Sequence, residues 1–278
     1  MAKGIGLIGN FRGKVGNMVG YNLKDSNNKQ NQGVRVYQPV VKNPRSYAQA
    51  EQRAKLSPIN ATYRALKPII DRGQEAKAYG NKSRLAWLKN AIKNYDGMWY
   101  DKGAVVEQAV LCEITHGTLA PVLSFTTGAG TVALSVSGFT PGATPTIGDV
   151  STAILDAYPA LKNGDQITFV ACGPVQGLVA ASFDSFVLDT ESTEVLGGSF
   201  SASAGKVEFT PSQVDCAAIA VMYSRQGANG EHLRSTVKLK AKSDYPDSDT
   251  WDAAKESAIK SYMAGGSTSD WPEEQIQG

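Results

Sequence analysis

The chain has 278 residues, 42% hydrophobic and 19% charged, enough apolar surface for one large domain or two of ordinary size. No run of about 18 apolar residues occurs, which argues against a membrane span. Met1–Phe11 is too short and glycine-rich for a signal-peptide core, so a soluble product without signal peptide or transmembrane segment is expected. The formal charge of +2 hides a split: residues 1–103 hold 19 Lys and Arg against 6 Asp and Glu, and residues 104–278 hold 9 against 20. A basic segment of this kind attracts nucleic acid, anionic lipid or acidic protein, including the acidic half of a neighbouring copy.

Residues 1–45 open with glycines at 4, 6, 9, 13, 16 and 20. The first of these leave too little side chain for a core, so an extended arm, ordered against a partner, is expected there. Val15–Leu23, the polar turn 24–31 and Val34–Val40 read as a β-hairpin. Pro39 and Pro44 end the second strand, because proline lacks the amide a ladder needs. Ser46-Tyr47-Ala48-Gln49 has capping-box spacing and opens a helix. Leu56, Ile59, Tyr63, Leu66 and Ile70 form one apolar stripe, with Pro58 expected to kink or restart the helix. A further helix, capped by Asn81 or Ser83, carries the stripe Leu85, Leu88 and Ile92, with Trp87 on an adjoining face.

Beyond Ala104 the period becomes that of strands. The segments are Val105–Ile114, Val122–Phe125, Val132–Val136, Gln166–Cys172, Ser185–Leu188, Lys206–Thr210, Ala217–Tyr223 and Leu233–Leu239. Glycine-rich turns separate them, and a short helix over Val150–Tyr158 is inserted. Seven or eight short strands punctuated in this way predict an immunoglobulin-like antiparallel β-sandwich. Residues 243–249 read as an acidic linker, and Asp249 or Thr250 caps a last short helix through about Met263. The predicted fold class is α+β. Its segments are a Gly-rich basic arm and hairpin (1–45), helices (46–103), the sandwich (104–242), and a linker, helix and tail (243–278).

Catalytic motifs fail on inspection. Gly4-Ile5-Gly6-Leu7-Ile8-Gly9 fits G-x-G-x-x-G, but a dinucleotide site needs a strand before it and a helix after it. Gly13-Lys14 is followed by Val15, where a phosphate loop requires Ser or Thr. His116 and His232 have no nucleophile pattern, and carboxylate pairs such as Asp184 with Asp189 carry no glycosidase signature. Cys112, Cys172 and Cys216 read as reduced strand residues, with one disulfide and a leftover thiol as the alternative. Neither catalytic residue, cofactor nor metal site is expected, and the chain is not expected to be an enzyme.

The basic segment is the main functional signal. Arg12, Lys14, Lys24, Lys29, Arg35, Lys42, Arg45 and Arg53 are interleaved with aromatics that include Tyr21 and Tyr37. Cations with aromatic rings suit single-stranded nucleic acid, and equally an acidic protein surface. Trp271, beside Pro272 in a polar tail, is a candidate anchor, either for a partner or against its own domain.

The run Gly13-Lys14-Val15-Gly16-Asn17-Met18-Val19-Gly20, Arg35-Val36-Tyr37-Gln38-Pro39 and the helix Gln49-Ala50-Glu51-Gln52-Arg53 together resemble an uncharacterised family. It occurs in Bacteroidales-type gut bacteria and their phages, with a G-K-x-G-N-x-V opening, a Q-x-x-Q-R helix and a β-rich second half. Tyr223-Ser224-Arg225 through Arg234-Ser235 resembles that family's closing strands. The resemblance covers about the first 70 residues well and the rest loosely, and it implies no activity. It implies a phage structural setting: a virion-associated protein, located in the virion or the host cytoplasm, that contacts other virion proteins or copies of itself, or the genome. The alternatives are a non-virion nucleic-acid-binding protein acting in replication or packaging, and a bacterial surface binding module. An oligomer is expected, and no membrane partner.

Overall fold

The computed structural model describes residues 13–15, 17–24, 30–37, 46–75, 77–95, 99, 110–128, 130–175, 178–212, 214, 216–228, 230–241 and 248–264. The chain divides into two compact units, Met1–Arg45 and Ser46–Gly278. It is an α+β protein, with helices and several antiparallel sheets.

In the first unit, β1 (Gly13–Val15), β2 (Met18–Lys24) and β3 (Gln30–Val36) form an antiparallel sheet in that order. The expected hairpin is present but shifted. β3 begins at Gln30, opposite Lys24, and ends at Val36, opposite Met18. The polar pair Gln30-Asn31, read as turn, enters the ladder because backbone groups make the bonds whatever the side chain. The expected arm before Arg12, and Pro39 and Pro44, lie outside the described residues.

The second unit opens with α1 (Tyr47–Ala65), α2 (Lys67–Gly73) and α3 (Asn81–Lys93). Ser46 stands at the N-cap of α1 but makes no side-chain cap bond, so the capping-box spacing marks the boundary without its chemistry. Pro58 does not restart the helix, since α1 runs continuously through it. The Thr62 hydroxyl donates to the Pro58 carbonyl at 2.9 Å and accepts the Val110 amide at 3.0 Å, which fixes this stretch against the sheets. The break falls instead at Leu66, ahead of Pro68 in the first turn of α2, where a missing amide costs nothing. Ile59, Leu66 and Ile70 are fully buried, as the stripe requires.

The face of α3 is corrected in part: Ser83, Trp87 and Ala91 point inward and Leu88 and Ile92 pack partly against the core, while Leu85 is 55% exposed. Ser83 is not a cap: its buried hydroxyl donates to the Ile70 carbonyl and accepts the Gln74 amide, closing the end of α2. Asn81 is the first helical residue, and Gly80 occupies the N-cap.

The strands follow as β4 (Glu113–Thr115), β5 (Phe125–Thr127) and β6 (Val132–Ser135). After α4 (Ile147–Ala157) come β7 (Gln166–Val175) and β8 (Leu178–Val187). Then come β9 (Phe200–Ser203), β10 (Lys206–Phe209), β11 (Ala218–Gln226), β12 (His232–Arg234), β13 (Val237–Lys238), β14 (Lys240–Ala241) and α5 (Ser248–Ala264). One sheet has the order β5-β6-β10-β9; the larger has β12-β11-β7-β8, with β14 also paired to β11; β13 pairs β4. α4 starts three residues before the expected Val150 because Thr146 and Asp149 form a reciprocal capping box. β8 extends seven residues further back than expected, pairing along the whole of β7. The expected strand over 233–239 divides into β12, β13 and β14. β9 is unanticipated. It turns into β10 through Ala204-Gly205, where Gly205 has φ +73, a conformation glycine takes without strain.

Phe169 and Phe186 of the larger sheet meet Phe200 and Phe209 of the other, with centroids 5.4 Å (Phe169–Phe200), 6.1 Å (Phe169–Phe209) and 5.2 Å (Phe186–Phe200) apart. Consecutive residues Phe169–Gly173 and Ala218–Tyr223 are all buried. Alternating side chains point to opposite sides of a sheet, so both faces of β7 and β11 are covered. The core is continuous from Ile59, Ile70 and Trp87 on the helices to Ile114, Phe169 and Val221 on the strands. The helical segment and the strands are therefore one body rather than two domains. Gly73 allows a close approach of α2 to β4: a Cβ there would lie 2.5 Å from the Ile114 carbonyl oxygen.

Glu75 ties this junction together. Its carboxylate accepts the amides of Thr118 and Arg234, each at 2.9 Å, and the Thr118 hydroxyl at 2.8 Å. Burial pushes its pKa up, but these hydrogen bonds outweigh burial and hold it below the usual glutamate value. A depressed pKa means the stabilisation is present above the unfolded pKa, about 4.3, and is lost as pH falls through the folded value. Glu75→Gln is expected to cost about 1–2 kcal/mol at neutral pH. The gap between variant and parent in urea denaturation midpoints should close as pH falls below about 4.

Candidate partner-binding surface

Residues 1–45 hold eight Lys and Arg against a single Asp. Directly opposed residues of an antiparallel ladder share a face, so the register Lys14↔Val19↔Arg35 sets Lys14 and Arg35 on one side of the sheet. Tyr21, two residues beyond Val19, and Tyr37, two beyond Arg35, belong to that side too. Lys14 Nζ lies 3.7 Å from the centroid of the Tyr37 ring, a cation–π contact. The Tyr21 ring covers Gly33, where a Cβ would fall 2.6 Å from its Cζ. Arg35 is exposed, and Tyr21 is 38% exposed.

The opposite side was not foreseen from the sequence. Met18 faces Val36, and Gly20 faces Val34, and Met18, Val34 and Val36 are 41%, 52% and 76% exposed. The signal was available in the alternation Val34-Arg35-Val36, which sends both valines to one face and the arginine to the other.

Of the other sequence candidates, Lys24 ends β2, while Arg12, Lys29, Lys42, Arg45 and Trp271 lie outside the described residues. Arg53 is half-buried on α1 and belongs to the second unit. The basic run that looked continuous in sequence is thus shared between two bodies, and Lys14, Tyr21, Arg35 and Tyr37 are the members brought together.

The groups considered for catalysis have structural partners. The exposed His116 Nδ1 lies 2.8 Å from Oε1 of the half-buried Glu113. Asp184 accepts from the Ser185 amide and the Ser199 hydroxyl, and Asp189 accepts the Glu191 amide. Cys112, Cys172 and Cys216 are all buried and form no disulfide, with only Cys172 inside a strand. Burial pushes the Cys112 thiol up to about 12 and raises Cys172 as well, which keeps both protonated at neutral pH and poor as nucleophiles. Asp165, almost inaccessible, receives Arg225 through Nε at 2.7 Å and Nη2 at 2.7 Å, and the Lys162 amide at 2.8 Å. Arg225 also donates to the Ala160 carbonyl, so this pair anchors a loop to β11. Among the described residues no group of three His, Cys, Asp or Glu side chains could hold a metal ion. Nor is any described helix long and apolar enough to cross a membrane.

Compared with known proteins, the chain matches no family model, no curated protein and no solved structure.

Proposed function

We propose that this chain is a virion-associated structural protein of a phage, within the uncharacterised family its opening resembles. Its N-terminal sheet makes the protein contacts, and its second unit is the rigid body that the sheet serves. The observation carrying this reading is the sheet itself. It has a cationic, aromatic face and an exposed apolar face, with three strands among the described residues of its unit. A sheet this small needs its apolar face covered to be stable, and exposed apolar surface with adjoining charge marks an interaction site. The acidic second half supplies a complementary surface on neighbouring copies. We further read the two larger sheets as an immunoglobulin-like sandwich. Their orders, β5-β6-β10-β9 and β12-β11-β7-β8, correspond to the A-B-E-D and G-F-C-C′ sheets of that fold.

The test is incorporation into particles. Lys14→Glu with Arg35→Glu should lower the amount of the chain in purified virions by about tenfold, since like charge across an interface costs several kcal/mol. Thermal unfolding of the body should be unchanged. Absence of the native chain from every particle preparation, measured by mass spectrometry, would overturn the reading.

Exposed Tyr21 and Arg35 on one face also support a second reading, single-stranded nucleic-acid binding outside the virion. It requires an affinity for DNA or RNA that falls steeply with salt and is lost in the same double variant. Undetectable binding at low salt removes it.

A further inference from the structure

The final strands do not close the larger sheet along all of β11. β12 pairs with Ser224–Gln226 and β14 with Ala218–Ile219. Between them the chain leaves β11 to pair, as β13, with β4. The divergence opens a groove of about 250 Å³. Its lining includes Val221 and Tyr223 of β11, Leu123 and Phe125, and Lys238 and Lys240. The polar groups of Tyr223 are engaged within the fold, since its hydroxyl donates to the Ala120 carbonyl and its amide to the Ser235 hydroxyl. The volume falls below the roughly 300–1,000 Å³ of small-molecule sites and suits one large apolar side chain. The charged residues lining the groove are both lysines, and Lys240 Nζ stands 4.4 Å from the Phe125 ring centroid. The fitting occupant is an aromatic side chain flanked by carboxylates.

This chain contains such a segment. Residues 265–278 hold one tryptophan, Trp271, between Asp270 and the pair Glu273-Glu274, and no cation. The apolar start of the chain, with Ile5, Leu7 and Phe11, also carries Lys3 and Arg12 and would set cations against the groove lysines. Trp271 lies seven residues beyond Ala264, the end of α5, a reach of up to about 25 Å.

We propose that the C-terminal segment folds back in the same molecule, with Trp271 filling the groove and Glu273 and Glu274 beside Lys238 and Lys240. The proposal is independent of what the N-terminal sheet binds. The full chain labelled with 5-fluorotryptophan tests it by fluorine NMR, with Trp271→Phe identifying the resonance. In the native chain the Trp271 signal should be shielded from a soluble gadolinium chelate. In Lys238→Glu with Lys240→Glu its relaxation by the chelate should rise about tenfold, as like charges oppose docking. Unmoved signals from Trp87 and Trp99 would report an intact fold in that variant. Equal exposure of Trp271 in native and variant chains would overturn the proposal. So would shielding that disappears on dilution, which assigns the groove to a second copy, or displacement of Trp271 by a synthetic peptide of residues 1–12 but not by one of residues 265–278.

Discussion

Phe169→Ala is expected to cost about 3–5 kcal/mol, a large share of the roughly 5–15 kcal/mol that holds a domain folded. Phe169 is fully buried, and its ring touches those of Phe186, Phe200 and Phe209; Phe200 also meets all three others but is only partly buried. Truncation removes the apolar transfer energy and leaves a cavity between two sheets. Both sheets are hydrogen-bonded along their strands, so they can collapse onto the void only in part. Phe169→Leu keeps most of the volume and should cost roughly half as much. Urea denaturation followed by circular dichroism checks both. A loss below about 1 kcal/mol for the alanine variant would mean that the aromatic cluster is not the centre of the core.

The second large effect is expected at the Asp165–Arg225 pair. Arg225→Met should destabilise the body by about 3–5 kcal/mol, because it strands a carboxylate that has almost no access to water. The variant also abandons the Ala160 carbonyl, which Arg225 holds at 3.0 Å. Asp165→Asn combined with Arg225→Met should recover part of the loss, since the cost lies in the unpaired charge more than in the absent pair. Equal destabilisation in the single and double variants would show that the guanidinium acts through packing alone. The measurement is again a chemical denaturation series.

The strands were legible where side chains announce them. Val132–Ser135, Lys206–Phe209 and most of β11 lie where alternation or an apolar run placed them. β9 was not, because Ser201, Ala202 and Ser203 are small and follow two glycines. Phe200, partly buried, packs against the opposing aromatics, and its role depends on residues distant in the chain. Helix positions were legible but their inward faces less so. In α3 the stripe placed Leu88 and Ile92 against the core, but Trp87, the largest surface available to bury, takes the fully buried position and Leu85 is left exposed. At the surface proposed for partner binding, charge and aromatic content were plain in the sequence. Which of those residues share a face needed the strand register, which polar residues such as Gln30 and Asn31 do not reveal. The groove beside β11 could not have been read at all. It arises from where β13 departs to join β4, a choice made by pairing at long range.

The unbroken burial of Phe169–Gly173 and Ala218–Tyr223 limits how the body can recognise anything. A sheet that keeps one face bare can lay a flat patch on a ligand. Here both faces of the two central strands are covered along those runs, except at the groove beside β11. Among the described residues of the second unit, the surface left open to a ligand lies at strand margins, connecting turns and that groove.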